Sequence, residues 1–173
     1  MKNKDYNSLE DDLAIRNVEL AAGIGDFGRR FFAPCYLTDA FTSGANIDFV
    51  CDALHTPFAD NRFDVVIICN PYRFGFSDDN ENDAQNFLKE MTRILTDCGK
   101  LVVIGNNKNK YCKLRKVQEE IEKFQQQNPN IVLSLGVETL DEASYSGYIF
   151  HHTDGIKRTF PDKQITISIH KHL

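Results

Sequence analysis

The sequence predicts an α/β domain built on a mainly parallel sheet, and two patterns support that fold class. Apolar runs without polar alternation, at 65–68 and 101–104, are typical of strands that are covered on both faces. Apolar residues also recur with helical spacing from 83 to 96 and from 114 to 124. Strands that alternate with helices indicate parallel pairing with right-handed crossovers.

The remaining elements follow in chain order. A short helix capped by Ser8 is expected first, because Leu9 and Leu13 share one of its faces. Strands are expected at 17–22, 34–39, 47–51, 64–69 and 101–104, and then near 131–135, 148–150 and 165–169. The strands at the end of the chain are expected to close the sheet with an antiparallel edge.

Length and charge narrow the class of protein. The 173 residues suffice for one domain, so 1–173 is expected to be a single unit. A net charge of -5 gives the surface as a whole no attraction for nucleic acid or anionic lipid. The chain shows neither a membrane-spanning run nor the apolar stretch of a secretory signal, which predicts a cytoplasmic protein. Its five widely spaced cysteines favour reduced, mostly buried thiols without a metal.

One connection is too short for the expected pattern. Seven residues, 40–46, separate the second and third predicted strands, whereas a parallel crossover normally needs a dozen or more. Seven extended residues reach about 23 to 25 Å, enough to pass back along a short strand but not as a helix. The crossover helix between these strands is therefore expected to be missing or reduced. The sheet face near Asp39 would then be thinly covered, which suggests a homo-oligomer or a protein partner there.

Polar groups follow several of the predicted strands. In such a sheet, ligands bind beyond the carboxyl ends of the strands. A small-residue turn runs from Glu19 to Gly25, where glycines let the backbone approach a ligand, and Asp39 ends the next strand. Asp52 and Asn70 follow the third and fourth strands. A plain strand-to-helix turn and solvated loop residues are the alternative interpretation of these groups.

Taken together, these residues resemble the class I S-adenosylmethionine-dependent methyltransferases, which have a three-layer Rossmann-like fold. Glu19-Leu-Ala-Ala-Gly-Ile-Gly25 is similar to the family's acidic-x-Gly-x-Gly-x-Gly loop, with Ala21 in place of the first glycine. Asp39 falls where the family has its ribose-binding acid. Asp52-Ala-Leu, followed by Pro57-Phe58 and then Phe63-Asp-Val-Val, is similar to the family's most specific segment. The resemblance covers about half of the chain, from 18 to 104, in the family's order.

The resemblance implies a bound S-adenosylmethionine across the strand ends. It places Glu19 near the methionine amino group, the backbone of Ala21, Gly23 and Gly25 along the methionine and ribose, and Asp39 on the ribose hydroxyls. Asp52 would accept the adenine amine, with Ala53 and Leu54 beside the ring. These carboxylates suit a ligand rich in donors and positive charge, and they disfavour the pyrophosphate of a dinucleotide.

The methyl acceptor is expected beside Asn70 and Tyr72. Asn70-Pro-Tyr72 partly resembles the Asn-Pro-Pro-Tyr element of the amino-methyltransferases, in which the Asn side chain and a Pro carbonyl bind the target amine. One proline is missing, so a simple strand-ending turn is the competing interpretation. The acceptor class stays open between a small molecule and an RNA or nucleobase.

Three further features bear on partners. Lys108, Lys110, Lys113, Arg115 and Lys116 form either a solvated helix start or a patch that contacts RNA phosphates. His170 and His172 alternate on a strand, and without nearby acidic or cysteine residues they are interpreted as surface side chains. The leading helix and the segment 72–83 are the expected sources of a substrate lid. With so little lid, a catalytically inactive methyltransferase-fold binding module is the alternative to an enzyme.

Overall fold

The computed structural model describes residues 14–41, 46–78, 81–145, 147–151 and 158–172. The helix expected around Ser8–Leu13 lies outside them. The described elements are β1 (Asn17–Glu19), α1 (Phe27–Phe31), β2 (Cys35–Asp39), β3 (Phe49–Val50), β4 (Phe63–Cys69), α2 (Glu81–Ile94), β5 (Leu95–Gly105), α3 (Leu114–Gln127), β6 (Ile131–Thr139), β7 (Phe150–His151), β8 (Arg158–Thr159) and β9 (Lys163–Lys171). Among these residues, none of the helices is both long and apolar enough to cross a membrane.

Seven of the strands form one sheet in the order β3-β2-β1-β4-β5-β9-β6. The neighbours from β3 to β5 pair in parallel, whereas β9 pairs antiparallel with both β5 and β6. The chain winds outward from β1 to β3 and then in the opposite direction from β4, so the strand order reverses between β1 and β4. This is the predicted mainly parallel sheet with an antiparallel edge, and the reversal places a ligand crevice beyond the carboxyl ends of β1 and β4.

The connection between β2 and β3 contains no helix among its described residues. Ala40, Phe41 and Asn46 lie in bends or turns, and residues 42–45 lie outside the description. β3 nevertheless pairs in parallel with β2, with Thr38 opposite Phe49. The chain thus returns along a strand of only two residues, and the expected reduction of this crossover is confirmed.

Side chains alternate between the two faces of the sheet because a strand repeats every two residues. In β4, Val66 and Ile68 belong to the larger buried cluster, which also contains the apolar faces of α2 and α3. Ile67 lies in a second cluster with Phe27 of α1. Helices therefore cover both faces, in the three layers that the sequence predicts.

A segment between β6 and β9 completes the α1 side of the sheet. Leu140 and Phe150 are buried there, with Tyr145 and Tyr148 packed against them. The sequence predicts a strand of the main sheet near 148–150, and that prediction is wrong in detail. Phe150–His151 instead pairs with Arg158–Thr159 in a separate two-stranded sheet.

Candidate functional site

The loop after β1 is held to both neighbouring strands. The Leu20 N–H donates to the Ile67 carbonyl, and the Ala22 N–H donates to the Thr38 carbonyl, at 2.9 and 2.8 Å. Ala21 and Gly23 adopt φ values of 55° and 59°. An alanine rarely adopts this left-handed conformation, so Ala21 occupies a position where the backbone favours glycine. The turn therefore keeps the conformation of a glycine loop despite the substitution.

Asp39 joins this loop to the end of β2. Its two carboxylate oxygens accept the N–H groups of Gly23, at 2.9 Å, and Phe41, at 2.8 Å. Each oxygen can accept a further hydrogen bond, because an ionised carboxylate offers about four acceptor positions. The group is thus fixed beside the loop and keeps capacity for a hydroxyl donor.

Glu19 is 1 % exposed and fixes the start of α1. Its Oε2 accepts the Gly28 N–H at 2.6 Å. Burial raises the pKa of the Glu19 carboxyl to about 7, against the hydrogen bond from Gly28, which lowers it. The contact that the structure gives Glu19 is therefore with α1, directly beneath the loop.

Tyr148 covers the same loop from the α1 side, a role that the sequence did not predict. Its ring packs edge-on against Phe27 with centroids 5.0 Å apart, and its hydroxyl lies close to the Asp26 backbone. A Cβ atom on Gly25 would lie 2.8 Å from that hydroxyl. Glu19 thus engages a backbone N–H group at the start of α1, where a pyrophosphate would need free N–H groups.

Asp52 lies beyond the carboxyl end of β3 in a tight turn. Its Oδ1 accepts the Leu54 N–H at 2.9 Å, and its Oδ2 lies 3.5 Å from Nδ1 of His55. The carboxylate is 60 % exposed, whereas Ala53 is buried and Leu54 packs against the core. The Cys51 N–H donates to the Asp39 carbonyl at 3.0 Å, so this turn adjoins the end of β2.

The turn after β4 is set by a residue that sequence reasoning missed. Asn109 donates from Nδ2 to Oδ1 of Asn70, at 2.7 Å, and to the Pro71 carbonyl, at 2.9 Å. Its own Oδ1 accepts the Tyr111 N–H at 2.8 Å, which fixes the orientation of the amide. The two acceptors expected to hold a target amine are therefore already paired with an amide of the chain. The asparagine-rich turn directly after β5 was the available signal.

Tyr72 lies at the surface of this turn. Its ring is 55 % exposed and packs edge-on against Tyr111, with centroids 5.7 Å apart, while the Arg73 guanidinium lies 5.4 Å from the Tyr72 ring centroid. Asn70 itself adopts a φ of 56°, and its N–H donates to the Ile104 carbonyl at 2.7 Å. The turn is held at the switch point of the sheet, with the exposed Tyr72 ring against the half-buried Tyr111.

The segment expected to form a lid packs differently. Phe74 and Phe76 are buried in the core, each against Phe87 of α2. The Phe76 N–H donates to the Tyr111 carbonyl at 2.7 Å. The described part of 72–83 is thus tied into the α2 and α3 layer, and the covering over the loop comes instead from the segment that contains Tyr148.

The basic run is less available than the sequence suggested. Lys116 is buried and pairs with Glu120 at 3.1 Å, so it cannot contribute to a surface patch. Arg115 forms ion pairs with Asp78 and Glu119. Lys108 and Lys110 are exposed and Lys113 is half-buried, and all three are close in sequence to Asn109.

Comparisons with known proteins agree with this architecture. Residues 35–103 match the sequence model of the methyltransferase domain family. A search of curated protein sequences found no match.

Three solved structures share the fold. The YcgJ protein of Bacillus subtilis is 13 % identical with a TM-score of 0.53, over 97 % of this chain and 99 % of that one. A Thermotoga maritima S-adenosylmethionine-dependent methyltransferase, described as a possible histamine N-methyltransferase, is 18 % identical with a TM-score of 0.56, over 90 % and 82 %. A 30S ribosomal A1408 methyltransferase from an uncultured bacterium is 14 % identical with a TM-score of 0.61, over 98 % and 95 %. The structural likeness shows a Rossmann-like fold of the kind found in these methyltransferases, and the family match is confined to residues 35–103.

Proposed function

We propose that the protein transfers a methyl group from S-adenosylmethionine to an acceptor bound beside Asn70 and Tyr72. The observation that carries the proposal is the bond between the Asp39 carboxylate and the Gly23 N–H. It joins the acidic residue after β2 to the glycine loop after β1, at the edge of the sheet where ligands bind.

The chemistry of the side chains fits this cofactor. Its ribose hydroxyls, adenine amine and ammonium group are all donors, and its sulfonium is positive. Glu19, Asp39 and Asp52 supply carboxylates at the ends of β1, β2 and near β3. When bound, S-adenosylmethionine supplies an activated methyl group that needs only an aligned nucleophile.

The residue roles follow the resemblance. Asp39 binds the ribose hydroxyls, and Asp52 accepts the adenine amine beside Ala53 and Leu54. The backbone of Ala21, Gly23 and Gly25 lines the methionine and ribose, and Glu19 supports the methionine end. Asn70 contacts both the cofactor and the methyl acceptor, and Tyr72 contacts the acceptor.

The acceptor is a small molecule or an RNA base. The exposed ring of Tyr72, which packs against the half-buried Tyr111, supports stacking of a planar group. Lys108, Lys110 and Lys113 support RNA contact next to the same turn. Because Asn109 already pairs with Asn70 and Pro71, capture of an amine through those two acceptors requires displacement of the Asn109 amide.

The cofactor is tested by calorimetric titration with S-adenosylmethionine and S-adenosylhomocysteine. Asp39→Ala and Asp52→Ala are expected to weaken binding about tenfold or more, the cost of losing a hydrogen bond to a charged group. Asp64→Ala is the matched control, because Asp64 lies at the opposite end of β4 in an exposed pair with Arg16. Absence of binding to either compound by the unmodified protein contradicts the proposal.

The acceptor is tested by transfer of a labelled methyl group. The unmodified protein is incubated with tRNA, protein extract and a metabolite pool in parallel, and Asp39→Ala is the matched inactive variant. Label in one pool that disappears with the variant identifies the acceptor class. Cofactor binding without transfer to any pool favours the second candidate function.

That second candidate is a methyltransferase-fold binding module. Apolar side chains are exposed near Asp39, where the crossover between β2 and β3 has no described helix. Phe41 is 72 % exposed, and Ile24, in the loop after β1, and Val50, in β3, are exposed as well. Such exposed apolar side chains support a protein partner at this surface. The partner is a second copy of this chain or another protein. Light scattering across a concentration series tests the first option, with Phe41→Ser expected to shift any dimer toward monomer.

The cytoplasmic location stays a prediction. Five free cysteines support a reducing compartment. Fractionation of cells that express the chain with an epitope tag tests it.

A further inference from the structure

Residues that are far apart in sequence come together at the end of the sheet that lies opposite the candidate cofactor loops. β5 begins and β9 ends at this end of the sheet. Lys100 pairs with Ser168 in their antiparallel register, and just beyond this pair the Cys98 side chain contacts that of His170. Asp97 adjoins Cys98 in the chain. We propose that Asp97, Cys98 and His170 form a binding site for a single zinc-like divalent metal ion.

The distances match those around a tetrahedral metal. One ligand atom from each of the three residues lies within 4.8 Å of the others. The Cys98 Sγ and the His170 Nδ1 are 3.6 Å apart. A tetrahedral zinc with bonds of about 2.3 Å to sulfur and about 2.05 Å to nitrogen would separate those atoms by about 3.6 Å. The two side chains thus need little movement to share an ion.

The carboxylate is already oriented. Oδ1 of Asp97 accepts the N–H groups of Cys98 and Lys171, both at 3.0 Å. These bonds tie the residue to both strands and leave Oδ2 available as a ligand. Hydrogen bonds that orient the side chains around a metal usually strengthen its binding.

The strand that carries His170 is also fixed. β9 lies between β5 and β6, and His170 pairs with Val132 of β6. The next residue, Lys171, directs its amine to Oδ1 of Asn61 and to the Leu95 carbonyl, both at 2.6 Å. This positive charge is therefore engaged in hydrogen bonds of its own.

Charge and ligand type select the ion. A thiolate, a carboxylate and a neutral imidazole carry a total charge that balances a divalent cation. Sulfur and nitrogen donors favour zinc and related ions over magnesium or calcium, which prefer oxygen. Asp97 and Cys98 are exposed, so an ion can enter from solvent. His172, two residues after His170, or a water completes the coordination.

The ion would join the start of β5 to the end of β9. This position is at the far end of the sheet from the turns of Gly23, Asp39 and Asn70. The inference is thus independent of the proposed methyl transfer, and the expected effect is on stability.

Cobalt is the first probe, because a cobalt–thiolate bond has its own charge-transfer absorption and tetrahedral cobalt has strong visible bands. Tag-free, chelator-treated protein is titrated with Co²⁺ and then with Zn²⁺. One equivalent of cobalt is expected to give both signals, and zinc is expected to remove them. Cys98→Ser is expected to abolish the charge-transfer band, and His170→Gln to weaken affinity at least about tenfold.

His55→Gln is the matched control, since His55 is an exposed histidine that pairs with Asp52 at the other end of the sheet. It is expected to leave the cobalt spectrum unchanged. Zinc is also expected to raise the melting temperature of the unmodified protein and of His55→Gln but not of Cys98→Ser. A spectrum without the thiolate band, or one that Cys98→Ser leaves unchanged, overturns the site and leaves a simple thiol–imidazole hydrogen bond.

Discussion

Glu19 is a buried carboxyl group whose protonation is coupled to folding. Its pKa rises to about 7 in the folded chain from a usual value near 4.5, mainly through burial, with a smaller contribution from Asp26 and an opposing one from Arg29. Between these values the folded state keeps a proton that the unfolded state releases. The free energy of unfolding therefore decreases as pH rises from about 4.5 to about 7 and is level above.

Glu19→Gln removes this dependence. We expect the variant to lose the decline in stability between pH 5 and 8 and to be more stable than the unmodified protein at pH 8 by about 2 to 3 kcal/mol. Urea unfolding at both pH values measures it. Glu142→Gln, a change of an exposed glutamate in the turn after β6, should keep the original pH dependence. A Glu19→Gln protein with the same decline would contradict the assignment.

A change at Asn109 tests whether its amide stabilises the turn at Asn70 and Pro71. Asn109→Asp replaces the donor to Asn70 and Pro71 by an acceptor, so these groups lose their partner and face a negative charge. We expect a loss of about 1 to 3 kcal/mol in the free energy of unfolding. Asn107→Asp is the control, because Oδ1 of Asn107 accepts a hydrogen bond from Nζ of Lys163, which a carboxylate would strengthen. Equal losses in the two variants would show that Asn109 has no special role.

At the level of elements, the strands that the sequence located best are the fully buried ones. The apolar runs in β4 and β5 mark strands covered on both faces, and their pattern requires no knowledge of their neighbours. The segment from Leu140 to Phe150 was poorly predicted, because its aromatic residues follow neither helical nor strand spacing. Their burial depends on α1, which is distant in sequence.

The candidate site residues differ in the same way: some are marked by a local sequence pattern, and others depend on contacts with residues distant in sequence. Gly23 and Asp39 are candidates that the spacing of turn and acid along the chain predicts, and the structure joins them by a hydrogen bond. Asn109, despite the asparagine-rich turn around it, and Tyr148 were not identified, because each acts through a contact with a loop that is remote in sequence. Asp97 and His170, 73 positions apart by their numbers, were missed for the same reason.

The packing of α1 gives a prediction at the element scale. Alanine normally stabilises a helix relative to glycine by about 1 kcal/mol. At Gly28, however, a Cβ would lie 2.7 Å from the Cys35 Sγ and 2.9 Å from the Glu19 Cβ. We expect Gly28→Ala to lower the free energy of unfolding by about 1 to 3 kcal/mol, because α1 must move away from the sheet.

Gly136→Ala in β6 is the matched control for Gly28→Ala in α1. A Cβ there would meet only the Thr166 carbonyl, at 3.8 Å, an ordinary contact. The midpoint of urea unfolding of Gly136→Ala should change little or rise relative to that of the unmodified protein. If Gly28→Ala behaved in the same way, α1 would not be held in close contact with β1 and β2.

Considered as a whole, the molecule has unequal cover on its two sheet faces. The 14-residue helices α2 and α3 cover one face, whereas α1 has only five residues and shares the other face with the segment from Leu140 to Phe150. That segment therefore belongs to the core, and its Tyr148 also covers the loop after β1. A core on both faces of one sheet favours a single cooperative unit, as the sequence predicts for 1–173.

Leu140→Ala tests this unity. Leu140 is buried with Phe27, Ile67 and Phe150, and its N–H donates to the Asp162 carbonyl at 2.9 Å. We expect a loss of about 2 to 4 kcal/mol in the free energy of unfolding, typical of a buried leucine, with one urea transition of unchanged slope. Val137→Ala, at a half-exposed position of β6, should cost less than about 0.5 kcal/mol. A second transition, or a loss as small as that of Val137→Ala, would mean that the segment unfolds on its own and covers the loop after β1 as a separate lid.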